Sequence, residues 1–159
     1  MNKDCYQKAV RLLTKKEYSR PKLEEKLIAS GFSPEDSNLA VDKLHSLGLL
    51  KEDWYIETKI KNMMRKGYSK MHIQQRLSYE SLDVELETID SVFDQFNQDE
   101  SSTIQNLLDK KAQRFQSNWD EIDHEEQLKI KAKLIRAITA KGYSLNDGIS
   151  AVDSYFYSK

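Results

Sequence analysis

The chain of 159 residues carries a formal net charge of −1, and its 38% hydrophobic and 32% charged residues with only five glycines and two prolines favour an all-α fold. It lacks the run of about 20 apolar residues that a membrane span requires, and no secretory signal follows Met1, so neither membrane insertion nor secretion is expected. Because Cys5 is the only cysteine, an internal disulfide is excluded and a cytoplasmic location is expected.

The near-neutral total hides charges that are segregated along the chain. Residues 59–76 hold six basic and no acidic side chains, and residues 127–141 hold five basic and no acidic ones. Between these blocks, residues 80–100 hold eight acidic and no basic side chains. The basic blocks are therefore able to meet a polyanion or an acidic protein surface, although each block is equally compatible with an ordinary solvated helix face.

A Tyr-Ser pair recurs three times, beginning at Tyr18, Tyr68 and Tyr143. Gly67 and Gly142 directly precede the second and third tyrosines, and a glycine in this place suits a left-handed residue that ends a helix. The tyrosine is then expected to anchor the turn by packing, and the serine to cap the next helix. The first copy has glutamate in place of glycine, so its turn should be strained or take another geometry.

The signature and the helical periodicity predict three tandem three-helix repeats, at residues 1–50, 51–97 and 98–159. No single helix of this length could bury its apolar stripe alone, so each repeat must pack against neighbours. The spacing between tyrosines rises from 50 to 75 residues in the third repeat. We assign the extra length to an inserted acidic loop near residues 117–127.

Residues that carry chemistry are scarce. His45, His72 and His124 lack the spacing of a metal site, the five glycines are scattered singly rather than gathered in a phosphate loop, and the acids of residues 80–100 alternate with apolar residues at helical spacing. The sequence therefore predicts a non-enzyme that uses no metal or cofactor. Its function is expected to reside in the basic rows, whose predicted contact residues are Lys61, Arg65, Lys66, Lys70, Arg76, Lys129, Lys133, Arg136 and Lys141.

The order and spacing of these motifs resemble the RecX family over essentially the whole chain. The middle repeat carries the resemblance most clearly, in residues 49–56 (LLKEDWYI), 65–68 (RKGY) and 73–77 (IQQRL). The first repeat resembles the family's opening, and residues 141–144 (KGYS) resemble its close. One departure is the string SYES at residues 78–81, where the family has a glycine-containing turn.

This resemblance implies an elongated, curved array of helical repeats and a monomeric protein that binds the filament of the RecA recombinase on DNA. It implies inhibition of RecA ATP hydrolysis and strand exchange, and so restraint of recombination, DNA repair and the SOS response. The basic rows would then contact RecA or nearby DNA phosphates without reading sequence. Two alternatives remain open from the residues alone, a helix-turn-helix-like DNA-binding regulator and an α-solenoid adaptor for a protein partner.

Overall fold

A computed structural model describes residues 1–157, and within that range the chain forms nine α-helices, one short 3₁₀ helix and no strand. The helices are α1 (Lys3–Lys15), α2 (Arg20–Ala29), α3 (Pro34–Ser46), α4 (Glu52–Arg65), α5 (Lys70–Tyr79), α6 (Leu86–Gln95), α7 (Glu100–Gln116), α8 (His124–Ala140) and α9 (Leu145–Tyr157). The all-α fold of three-helix repeats is thus confirmed. None of the helices described in this range is long and apolar enough to cross a membrane.

The Tyr-Ser signature has the local structure that the sequence predicts. The hydroxyl oxygens of Ser19, Ser69 and Ser144 accept from the backbone N–H three residues further on, at 3.3, 3.2 and 3.1 Å. Gly67 and Gly142 have φ angles of 91° and 96°, which lie in the region that glycine occupies without a steric penalty. Each glycine ends one helix, and each serine caps the next.

Two turns that lack glycine end the preceding helix with other backbone conformations. The first signature turn takes another geometry, because Lys16 ends α1 in an extended conformation with φ −165° and ψ 165°. In the turn after α5, Ser81 adopts a φ of 61°. A non-glycine residue in this left-handed region carries a strain of about 1 kcal/mol.

The described chain divides into two compact units. The first comprises Met1–Ile60 and Arg76–Val84, and the second comprises Lys61–Gln75 and the described residues from Glu85 onward. The core of the first unit is built mainly by aliphatic side chains of α1, α2 and α3, and it includes the fully buried Cys5 thiol. The core of the second unit is richer in aromatic side chains, which come from the segment after α7, from the α8–α9 turn and from α9. The repeat boundaries at residues 50 and 97 stay a prediction.

The apolar stripes of α2 and α3 differ in part from those that the sequence predicts. Helical spacing in the sequence predicts one apolar stripe through Ile28 and another through Leu39 and Leu47, but these three side chains are 44%, 45% and 55% exposed. The buried face of α3 instead runs through Ser37 and Ala40 with Val41 and Leu44, at the i, i+3, i+4, i+7 spacing of one helix face. Small residues on this face fit the close packing of α3 against α1 and α2, and Leu39 and Leu47 lie outside it.

Residues 117–127 are more ordered than the predicted acidic loop. A 3₁₀ helix spans Trp119–Glu121, and Trp119 is buried with its ring stacked on Phe156 at a centroid distance of 3.7 Å. The side-chain amide of Gln127 donates to the carbonyl of Trp119 at 2.6 Å. α8 already begins at His124, and the two glutamates that follow occupy its first turn, where the helix dipole favours acidic side chains.

Candidate functional site

The first of two basic grooves in the second unit lies where the end of α4 meets α7, and we call it the junction groove. Its lining includes the α4–α5 turn, Phe96, the middle of α7 and the residue that follows α8. Five basic residues and one acid, Asp109, take part in it. The basic residues are Arg65, Lys66, Lys110, Lys111 and Lys141.

Two signature turns dock against each other beside this groove. The backbone N–H of Ser69 donates to the carbonyl of Lys141 at 2.9 Å, and the Ser69 hydroxyl donates to the carbonyl of Gly142 at 3.1 Å. A Cβ added to Gly142 would lie only 2.6 Å from His72 Cβ and from Ser69 Oγ. Glycine at this position therefore permits both the left-handed turn and the close approach. The docking fixes the backbone on which Lys66 and Lys141 stand.

Tyr68 orients one of these cations in addition to packing. Its ring stacks on the His72 imidazole at a centroid distance of 4.8 Å, and the Lys141 ammonium lies 4.2 Å from the ring centroid. A cation over an aromatic face is stabilised by about 0.5–1 kcal/mol at a partly exposed site. Tyr68 is only half-buried, whereas Tyr18 and Tyr143 are buried as the predicted packing anchors.

The second groove runs between α7 and α8, and we call it the helix-pair groove. Its lining combines five basic residues and two acids with a set of buried or half-buried apolar residues. The basic residues are Lys110, Lys111, Arg114, Lys129 and Lys133. The apolar residues are Phe115, Ile130, Leu134 and Ala137. Both grooves share Lys110 and Lys111, so they form one continuous basic surface of the second unit.

Three of these cations are absent from the sequence-based prediction. Lys110, Lys111 and Arg114 lie in a stretch of mixed charge that contains no basic block. The sequence contains only a local indication of this basic surface: Lys110 and Arg114 are four residues apart and therefore share one face of α7. The packing of α7 against the basic row of α8 belongs to the tertiary structure. Counting charges along the chain does not detect it.

Five of the predicted contact residues line the two grooves. They are Arg65, Lys66, Lys129, Lys133 and Lys141. The other four lie elsewhere. The Lys61 ammonium lies 5.3 Å from the Phe96 ring centroid, and Arg136 is exposed on α8 outside both grooves. Lys70 forms an ion pair with Asp90 at 2.8 Å, and Arg76 is exposed in the first unit.

Acidic partners offset little of the groove charge. The Lys129 ammonium is 3.9 Å from the Glu125 carboxylate, at the outer limit of an ion pair between exposed side chains. Asp109 accepts from the Tyr155 hydroxyl at 3.2 Å, and burial together with this hydrogen bond raises the pKa of Tyr155 to about 12.

In residues 1–157 no group of three or more His, Cys, Asp or Glu side chains is placed to hold a metal ion.

Comparison with known proteins identifies relatives along most of the chain. The family model described as the first three-helix domain of RecX matches residues 5–44, the region of α1–α3. A regulatory protein RecX of Pseudomonas fluorescens is 30% identical over 139 residues, which cover 87% of this chain and 83% of that protein. A regulatory protein RecX of Xanthomonas axonopodis pv. citri is 34% identical over 79 residues, so this chain matches only about half (49%) of its length.

The fold also has a solved counterpart. The crystal structure of RecX from Lactobacillus salivarius superposes with a TM-score of 0.65, covering 94% of this chain and 95% of that one at 18% identity. This similarity supports the helical architecture and makes no statement about the grooves.

Proposed function

The chain belongs to the RecX family of regulatory proteins, and from this premise we propose that it binds the RecA filament on DNA and restrains ATP hydrolysis and strand exchange by RecA. RecA is proposed as the partner because the resemblance of the motifs to the RecX family implies it. The observation that supports a contact site is the basic surface formed by the junction groove and the helix-pair groove. A filament of protein on DNA presents both phosphates and protein carboxylates to such a surface.

Electrostatics gives this contact its range and its salt dependence. Cations that lie in concave clefts focus the field, raise the rate of encounter with an acidic partner, and lose effect as ionic strength rises. Lys110, Lys111 and Lys133 are exposed at the grooves, where they can pair with acidic groups of the filament. Binding would thus be fast and salt-sensitive.

Rigidity of the junction groove adds to affinity. Because the docked signature turns hold the backbone at Lys66 and Lys141, less freedom is lost there when the partner binds. The cation–aromatic contact of Lys141 with Tyr68 restricts that side chain further. A protein seated in this way would restrain the RecA subunits that it contacts, or hinder an incoming DNA strand.

A charge-reversal variant tests the proposal against a matched control. The groove variant changes Lys66, Lys110, Lys111 and Lys133 to Glu. The control variant changes Lys3, Arg11, Lys15 and Lys26 to Glu, all exposed residues of the first unit. Both variants alter the net charge equally, and circular dichroism checks that both keep the helical fold.

ATP hydrolysis by RecA on single-stranded DNA is the measurement. We expect the unmodified protein and the control variant to inhibit hydrolysis at comparable concentrations. The groove variant should need at least about tenfold more protein, which corresponds to a loss of about 1.4 kcal/mol. No inhibition by the unmodified protein would refute the function, whereas equal inhibition by the groove variant would refute only the surface.

Direct binding of duplex DNA is the second candidate function, favoured by the charge balance of the junction groove. There, five basic residues face the single carboxylate of Asp109. Fluorescence anisotropy with labelled duplexes in the absence of RecA tests it. Binding that weakens steeply with salt and ignores sequence would support phosphate contacts, and preference for one sequence would support a helix-turn-helix-like reader.

A further inference from the structure

We propose that the helix-pair groove binds an acidic amphipathic helix presented by a protein partner. Such a ligand carries apolar side chains along one face and carboxylates on both flanks. Helix-in-groove recognition of this kind requires an apolar strip with charged edges that complement the ligand. The groove between α7 and α8 offers both features, on side chains of the second unit alone.

The apolar strip is formed by residues that the fold leaves partly uncovered. On α8, Ile130 and Leu134 are four residues apart and Ala137 continues the same face, while Phe115 contributes from α7. Leu134 is buried, but Ile130, Phe115 and Ala137 are only half-buried. These three side chains therefore retain apolar surface, whose removal from water on binding is favourable by about 25 cal/mol per Å².

Basic side chains flank this strip on each helix. Lys110 and Arg114 are four residues apart on α7, and Lys129 and Lys133 are four residues apart on α8, so each pair forms a row along its helix. All four side chains are exposed. Long lysine and arginine stems can pack on apolar surface while their charged ends reach outward to carboxylates. An acidic amphipathic helix satisfies the strip and both rows together.

The length of the groove suits a short helix. Its α8 edge extends from Glu126 to Ala137. At a rise of about 1.5 Å per residue this edge is roughly 18 Å long, which accommodates about three turns of a bound helix.

A nucleic acid fits this groove less well. Bases of a single strand bind by stacking on open aromatic faces, but the Arg114 guanidinium already lies 4.7 Å from the centroid of the Phe115 ring. A phosphate backbone carries no apolar side chains, so it gains nothing from the apolar strip. These features favour a protein ligand over the DNA of the filament.

The inference rests on the proposed function only for the identity of the partner, and it is tested without RecA. The probe is a synthetic, fluorescently labelled helical peptide of about 12 residues with leucines on one face and glutamates on the flanks. A scrambled peptide of the same composition and a short single-stranded DNA are the comparison ligands. Variants of the full chain are K111E/K133E, I130T and, as the matched control, K15E/K26E.

We expect the amphipathic peptide to bind at least about tenfold more tightly than the scrambled peptide, because only the former aligns leucines with the strip. K111E/K133E and I130T should each weaken this binding by about tenfold, and K15E/K26E should leave it unchanged. Equal affinity for the two peptides, or displacement of the bound amphipathic peptide by the DNA, would overturn the inference. RecA inhibition in the ATPase assay is a separate readout, so the two proposals can fail separately.

Discussion

The α1–α3 region and the α7–α9 region are built on one plan but differ in length. In both, every helix contacts the other two, and a Tyr-Ser turn leads into a serine-capped helix. α1 and α2 have 13 and 10 residues, whereas α7 and α8 have 17 each. The longer pair carries the basic rows at residues 110–114 and 129–133. The added length of α7 and α8 thus builds a surface, while the shared plan builds the core.

The cores of these two regions also differ in the side chains that fill them. The α1–α3 core is closed mainly by fully buried aliphatic side chains such as Leu23, Leu27 and Leu44. The α7–α9 core uses Trp119, from the segment between α7 and α8, stacked on Phe156. We infer that the longer helices leave an opening in the core that the compact first region does not have, and that Trp119 fills it.

Truncating the two tryptophans should separate these roles most strongly. Trp119→Ala removes a side chain that is 3% exposed, and it should lower the free energy of unfolding by about 4 kcal/mol. Trp54→Ala removes a ring that is 59% exposed and contacts the Lys51 ammonium, so it should lower it by less than about 1 kcal/mol. Urea denaturation measures both. Equal losses would show that Trp119 does not close the core.

Two glycines allow the same comparison for turns. Gly142→Ala combines a φ of 96° with contacts of 2.6 Å from the new Cβ, so it should destabilise the protein by about 3 kcal/mol. Gly31→Ala has a φ of 99° but nothing within 4 Å, and it should lose only about 1 kcal/mol through strain. Similar losses in urea denaturation would contradict the close docking of the signature turns.

An ion pair with a hydrogen bond stabilises the first unit in a pH-dependent way. The Glu80 carboxylate accepts from the Tyr55 hydroxyl and the Lys59 ammonium, each at 2.8 Å. Burial alone would raise the pKa of Glu80, but these two partners outweigh it and hold the pKa below its usual value. The stabilisation is therefore full above the unfolded pKa of about 4.3 and is lost as the pH falls through the lower folded pKa.

Glu80→Gln should accordingly lower the free energy of unfolding by about 1 kcal/mol at neutral pH. The difference from the unmodified protein should shrink as the solution is acidified below the unfolded pKa. Glu57→Gln, at an exposed position on α4, serves as the control and should change stability little at any pH. A Glu80→Gln effect that grows on acidification would contradict the sign of the shift.

The smallest effects are expected where the two regions differ in surface charge. Arg20 forms an ion pair with Asp42 in the first unit, and Arg20→Gln should lower the free energy of unfolding by about 0.5 kcal/mol. Lys111→Gln and Lys133→Gln each remove one exposed cation from the lining of the helix-pair groove. Each should change stability by less than about 0.5 kcal/mol, with either sign. Thermal denaturation at low salt tests this, and a loss above 1 kcal/mol would indicate a structural role for the groove lysines.

Local features of the fold follow from the sequence, and tertiary ones do not. The caps at Ser69 and Ser144 and the left-handed Gly67 and Gly142 are predictable, because each depends on neighbouring residues only. The order of Trp119 is not, because it depends on a stacking partner 37 positions away in the chain.

Some residues of the candidate site are likewise predictable from the sequence, and others are not. Lys66 and Lys133 belong to basic blocks that charge counting detects, and both lie in a groove. Lys110 and Lys111 escape detection, because their importance arises only where α7 packs on α8. Lys70 shows the converse, since a residue within a basic block is paired with Asp90 once the chain folds.

The dissociation constant of the protein for preformed RecA filaments on single-stranded DNA tests whether the two grooves carry the contact. The four-residue groove variant and the four-residue control variant of the first unit are compared with the unmodified protein at one salt concentration. We predict a dissociation constant at least about tenfold higher for the groove variant and an unchanged one for the control. Equal affinities of all three proteins would contradict the claim that the grooves of the second unit carry the regulatory contact.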